Sequence, residues 1–196
     1  MQAMPSCYTD KKSEAQLKQR SGMKNILAMY RKVKEAVSGC FEERHGKQRD
    51  YNCFVSHNLL QSPVPMSKQE FKNGETILAP YVISSGSLPS LDYEWKNGRL
   101  SFLMKGDEWK EGDILRFVAV NLKGTQVLPA KVTDEVISSP CNKIIETEEL
   151  EPGAYGWIHI RKSRNKNYIS RQTLFLVDSS HSLNIKDGGM SEETPL

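Results

Sequence analysis

Hydrophobic positions change their period partway along the chain. Between residues 13 and 60 they recur at helical spacing: Met23, Ile26, Tyr30, Val33, Val37 and Cys40 follow one another at steps of three and four, and Leu27 and Phe41 widen the stripe. Ser13-Glu-Ala-Gln16 reads as a capping box ahead of it. The spacing predicts an amphipathic helix from Ser13 to the His45-Gly46 pair, where glycine suits a C-cap, with Gly22 marking a kink or a break. The stripe is too short for a free-standing coiled coil, so it should pack on a second helix of the same chain. That helix is predicted from Asp50 through Tyr51, Phe54 and Asn58 to about Leu60, closed by Gln61-Ser-Pro-Val-Pro65. Ser67-Lys-Gln-Glu70 is a further capping box, heading a short turn that stops at Asn73-Gly74.

From Glu75 onward the runs are short, β-rich and bounded by Gly, Pro, Asn or Asp. Strands are expected over Thr76–Ser84, Arg99–Met104, Asp113–Asn121, Thr125–Lys131, Asn142–Thr147, Gly153–Ile160 and Gln172–Val177. Pro80 marks the first as an edge strand or a bulge. Asn97-Gly98 is a hairpin turn. Asp113–Asn121 is apolar on both faces except for Arg116, as a central strand is. In Gly153–Ile160, residues Ala154, Gly156, Ile158 and Ile160 share one face and Tyr155, Trp157 and His159 the other; one of the two is expected to be core. With no helical period between them, these strands predict an α+β protein: an N-terminal helical hairpin followed by a seven-stranded antiparallel β-sandwich of the immunoglobulin or fibronectin type III kind. The implied organisation is an irregular N-terminus at 1–12, a helical segment at 13–74, the sandwich at 75–178 and a disordered tail at 179–196, which is polar, acidic and poor in apolar residues.

Charge narrows where a partner would bind. The 196 residues carry a net charge of +3, and residues 1–60 hold 11 Lys/Arg against 6 Asp/Glu, so the basic excess lies in the helical third. No apolar run is long enough to span a bilayer. The start carries no basic, then apolar, signal pattern, which leaves the cytoplasm, a virion-like assembly or another signal-independent route as the expected location. The 4 cysteines, Cys7, Cys40, Cys53 and Cys141, include no C-x-x-C pair, and free thiols in a reducing compartment are expected.

Candidate chemistry is sparse. Cys40, His45, Cys53 and His57 are metal-ligand types that a helical hairpin would bring together, but their spacing matches no common zinc pattern, and Cys40 also serves the apolar stripe. The serines of Ser84-Ser-Gly-Ser87 and Ser138-Ser139 lie in no nucleophile motif, His159 is a sheet-face residue, and no phosphate-cradling glycine loop occurs. No catalytic residue, cofactor or small-molecule substrate is assigned. Two basic groups remain as partner-binding candidates: Arg20, Lys24 and Arg31 along the first helix, and Arg161, Lys162, Arg164, Lys166 and Tyr168 at the tip of the last hairpin. Either would meet phosphates or an acidic protein surface, although no nucleic-acid fold motif accompanies them.

The segments Met4-Pro-Ser, Ser13-Glu-Ala-Gln-Leu-Lys-Gln-Arg20, Val55-Ser-His-Asn-Leu59 and Val82-Ile-Ser-Ser-Gly-Ser-Leu-Pro89 resemble elements of an uncharacterised family common in Bacteroidota, whose C-terminal half looks like an immunoglobulin- or fibronectin-type sandwich. Members of that family usually carry a Gly- and Val-rich stretch before the position of Met4. This sequence lacks it, so either the start is truncated or a sheet edge is open. The resemblance implies the architecture and no activity. The first helix is also similar to segments of phage virion and tail proteins, which implies a place in a phage-derived or extracellular assembly. The resulting expectation is a non-catalytic structural or protein-interaction module that binds a protein partner or itself. The alternatives are nucleic-acid binding through the basic helix and the Arg161–Lys166 tip, or a metal-supported enzyme.

Overall fold

The computed structural model describes residues 13–42, 49–59, 78–124 and 126–177. Helix α1 spans Glu14–Val33 and opens on the expected capping box, with the Ser13 hydroxyl accepting from the Gln16 amide. It runs through Gly22 without a break. The expected end at His45-Gly46 is corrected: the regular helix stops at Val33 and continues as turns to Gly39, whose φ of +71° ends it. Beyond that glycine, Cys40 and Phe41 run beside the segment at Ser85, the Ser85 amide donating to the Cys40 carbonyl. A helix ending at residue 46 would remove that pairing. His45 and Gly46 lie outside the described residues, as do the Ser67 capping box, the irregular N-terminus and the tail. Helix α2, Asp50–Leu59, packs on α1 through Tyr30, which meets Tyr51 edge-on at 5.1 Å and Phe54 at 5.6 Å.

The strands are β1 (Val82–Ser84), β2 (Glu94–Lys96), β3 (Arg99–Met104), β4 (Ile114–Lys123), β5 (Gln126–Val127), β6 (Lys131–Val136), β7 (Lys143–Glu146), β8 (Gly153–Lys162), β9 (Asn167–Ile169), β10 (Gln172–Thr173) and β11 (Phe175–Val177). The fold is therefore α+β, with two helices and antiparallel sheets curled into a half-barrel. Where seven strands were expected, the described residues hold eleven, in sheets of six, three and two. Two breaks account for part of the difference. Pro129 has no amide to give a ladder. It separates β5 from β6, and the chain there turns aside so that the Ala130 amide donates to the Lys32 carbonyl near the end of α1. Leu174 similarly divides β10 from β11, its amide donating to Tyr81. The Asn97-Gly98 turn forms as expected, both residues having positive φ (51° and 77°), which glycine and asparagine adopt most readily.

β4 and β8 form the centre of the largest sheet, paired from Ile114↔Ile160 to Asn121↔Gly153. Alternation sends Ile114, Val118, Val120, Ala154, Ile158 and Ile160 toward the helices, where they meet Ile26, Met29, Val33, Val37 and Phe54. Leu115, Tyr155 and Trp157 face the other way, onto Leu91, Leu100, Phe102, Met104, Trp109 and Ile137. The expectation of a single core face on β8 is thus corrected. Both faces are core, because helices cover one and the β2-β3-β7 sheet covers the other.

Candidate functional site

The polar groups best placed for chemistry lie inside the protein. Asp113 stands at the entry to β4, and His159 and Arg161 project from β8 on the face toward Trp109. His159 Nε2 lies 2.7 Å from Asp113 Oδ2. The Arg161 guanidinium grips the same carboxylate, Nη2 donating at 2.8 Å and Nε at 3.0 Å, and Nη2 also donates to the Glu108 carbonyl. The Lys110 amide adds a further bond to Asp113 at 2.9 Å. Trp109 covers the imidazole at 3.8 Å, nearly parallel to it. Burial alone would raise the Asp113 pKa, but Arg161, His159 and the Lys110 amide outweigh it and hold the carboxyl below its ordinary 3.8. For His159 burial dominates and lowers the pKa below 6.5, against the pull of Asp113.

This His–Asp pair does not continue into a nucleophile. The nearby Ser170 hydroxyl accepts from the backbone amide of His159, and the Ser170 amide donates to the His159 carbonyl. Ser170, His159 and Asp113 are 0%, 2% and 2% exposed, so all three are closed off from solvent. The arrangement holds the 105–113 loop to β8 and β4. It is a brace.

Three other polar groups do the same work. The Asn58 side-chain amide accepts from the Val82 amide at 2.8 Å and donates to the Val82 carbonyl at 2.9 Å, so a helical side chain replaces a neighbouring strand. Gln172 does likewise for Leu91, at 3.0 and 2.6 Å. The Glu42 carboxylate receives the Ser87 amide and hydroxyl, the Ile169 amide and Lys166 Nζ. Burial opposes ionisation of Glu42, yet these donors hold its pKa below the ordinary value. The loop between β1 and Leu88 passes so close that a Cβ on Gly86 would lie 2.3 Å from the Ile169 carbonyl and 2.7 Å from Glu42, which requires glycine there.

The metal-ligand types do not assemble among the described residues, where no group of three or more candidate ligands occurs, and His45 lies outside them. Cys40 and Cys53 are both buried. Burial pushes the Cys40 thiol up to about 11, only partly offset by Arg116, which disfavours the thiolate a metal needs. His57 stacks on Phe41 at 5.5 Å. Of the basic candidates, Arg20, Lys24 and Arg31 lie on the exposed side of α1. Lys162, Arg164, Lys166 and Tyr168 do sit at the β8–β9 hairpin, with Lys166 over the Tyr168 ring. Two of the tip's charges are already engaged, Arg161 by Asp113 and Lys166 by Glu42.

Sequence reasoning did not single out the exposed surface around β6 and β7. Among the described residues β6 pairs with β4 alone and β7 with β3 alone, and Lys143 Nζ lies 3.7 Å from Glu135, linking the two strands on one flank. The cross-strand partners Leu103 and Ile144 stand beside that flank on the outer face of the β2-β3-β7 sheet, 57% and 71% exposed. No helix among the described residues is long and apolar enough to cross a membrane. No family model matches the chain, and no curated protein or solved structure matches it.

Proposed function

We propose that this chain is a non-catalytic structural or protein-interaction module, built on facing β-layers of the immunoglobulin or fibronectin type III kind. The supporting observation is the division of its polar and apolar groups. The buried Asp113–His159 pair is used as a brace, while among the described residues the outer edges of β6 and β7 are unpaired and the Leu103–Ile144 pair is exposed to solvent. A strand edge offers unpaired amides and carbonyls, which an added strand from a protein partner satisfies. A place in a phage-derived or extracellular assembly of the Bacteroidota family type belongs to the same proposal. The nucleic-acid alternative has less support, since the hairpin tip keeps only part of its charge free of acidic partners.

Light scattering and cross-linking of the purified chain, with co-purification from its own cells, test the reading. An oligomer or a stable protein complex is expected. Complexes held through the outer sheet face should be lost in Leu103→Lys and Ile144→Lys. A strict monomer that co-purifies with nothing overturns the proposal.

A further inference from the structure

We infer that β6 is the seam of a two-fold dimer, in which Lys131–Val136 of two copies of this chain pair antiparallel about Thr133. The inference rests on the interaction-module reading and names its partner. Among the described residues β6 has β4 on one side only, and Lys131, Thr133, Asp134, Glu135 and Val136 are exposed.

The register follows from symmetry and charge. A two-fold axis normal to a sheet leaves each face on its own side, so a β6 residue can stand opposite only residues of its own parity in the second copy. Centring the pair on Lys131, Asp134 or Glu135 sets like charges against each other. Centring it on Val132 brings Lys131 to Thr133, and centring it on Val136 brings Glu135 to Ile137; neither joins opposite charges. Centring it on Thr133 places Lys131 opposite Glu135 of the second copy, twice over, with the threonines facing one another. On the other face Val132 then meets Asp134, whose charge its own Arg116 neutralises through two bonds of 2.8 Å. Glu135 is 57% exposed and holds Lys143 only at 3.7 Å, so its carboxylate remains accessible to a second lysine.

Sedimentation or light scattering across a concentration series tests this with charge exchange. Lys131→Glu and Glu135→Lys should each weaken dimerisation about tenfold or more, because each places like charges opposite one another. The double variant K131E/E135K should recover the dimer to within about threefold, since opposite charges face again. It does not recover the Lys143 contact within the chain, so recovery cannot come from that bridge. Both positions are exposed, and circular dichroism confirms that each variant is folded. A dimer indifferent to the single changes, or one that the double variant fails to restore, overturns the seam. A monomer at every concentration overturns it as well. If that monomer still captures a protein through Leu103 and Ile144, the module reading survives; if it captures none, both fall.

Discussion

β8 and β6 lie along opposite edges of the same strand, β4, yet their surroundings differ throughout. β8 is buried from Gly153 to Ile160 and is covered on both faces, with β9 and β11 continuing the sheet beyond it. β6 is exposed at every position but Val132, and nothing in the described residues pairs with its outer edge. Buried packing is therefore concentrated on the β8 side of β4, and the β6 side is left exposed. Arg116 crosses between the regions. It projects from β4 and binds Asp134 of β6 with two nitrogens, while Nη1 donates to the Ala36 and Ser38 carbonyls at 3.3 Å each.

Truncating the two strands should expose the contrast most sharply. Trp157→Ala removes a buried ring that packs on Phe102, Phe117 and Tyr93. It should cost about 3–5 kcal/mol in urea unfolding. Asp113→Asn should cost about 3 kcal/mol, because it leaves Arg161 and His159 facing a neutral group in a buried site. A loss below about 1 kcal/mol would mean the brace is dispensable. Arg116→Ala should follow at roughly 1.5–3 kcal/mol, measured the same way, since charged hydrogen bonds to β6 and to the end of α1 are lost together. Val136→Ala, at a side chain 63% exposed, should change stability by less than about 0.5 kcal/mol. If β6 truncations matched those in β8, the division drawn here would fail.

Acid should act on β8 before β6. The folded-state pKa of His159 lies below its ordinary 6.5, so its neutral form contributes stability that is complete above that value and is lost as pH falls through the folded value. Asp113 is also depressed, from 3.8, and its contribution is lost as pH falls further, through its own folded value. Thermal midpoints should accordingly hold steady above about pH 7 and decline below about pH 6.5, with a second decline below about pH 4. His159→Gln should remove the first decline and leave the second. A profile unchanged by that substitution would show that His159 does not titrate as its burial requires.

Legibility in the sequence follows the same division. α1, α2, β3 and the Asn97-Gly98 turn could be read because local period and capping agree with their final environments. β8 is legible as a strand, but the sequence does not rank its two faces, since both carry large apolar groups and both are covered. β6 was passed over. Lys131-Val-Thr-Asp-Glu-Val136 mixes three β-branched residues with three charges just after Pro129, so its strand signal is weak until it pairs with β4. The braces were equally hidden, because Asp113, His159 and Arg161 are 46 to 48 residues apart in their pairings and no spacing rule joins them. Asn58 gave no signal either. A helical asparagine that bonds a strand 24 residues later looks like any other polar residue.

The Glu42 cluster bears on the order in which the chain assembles during synthesis. Its donors include Ser87, which is 45 residues downstream, and Ile169, which is 127 downstream. A ribosome releases α1 and Cys40 well before it makes β8 and β9, so this carboxylate waits without its last partners while the intervening residues are made. Contacts so distant in sequence close late and slowly. Glu42, Gly86 and Ser87 thus form a latch that can fasten only once β9 has been made, and damage there should appear first as poor yield of folded protein from the cell.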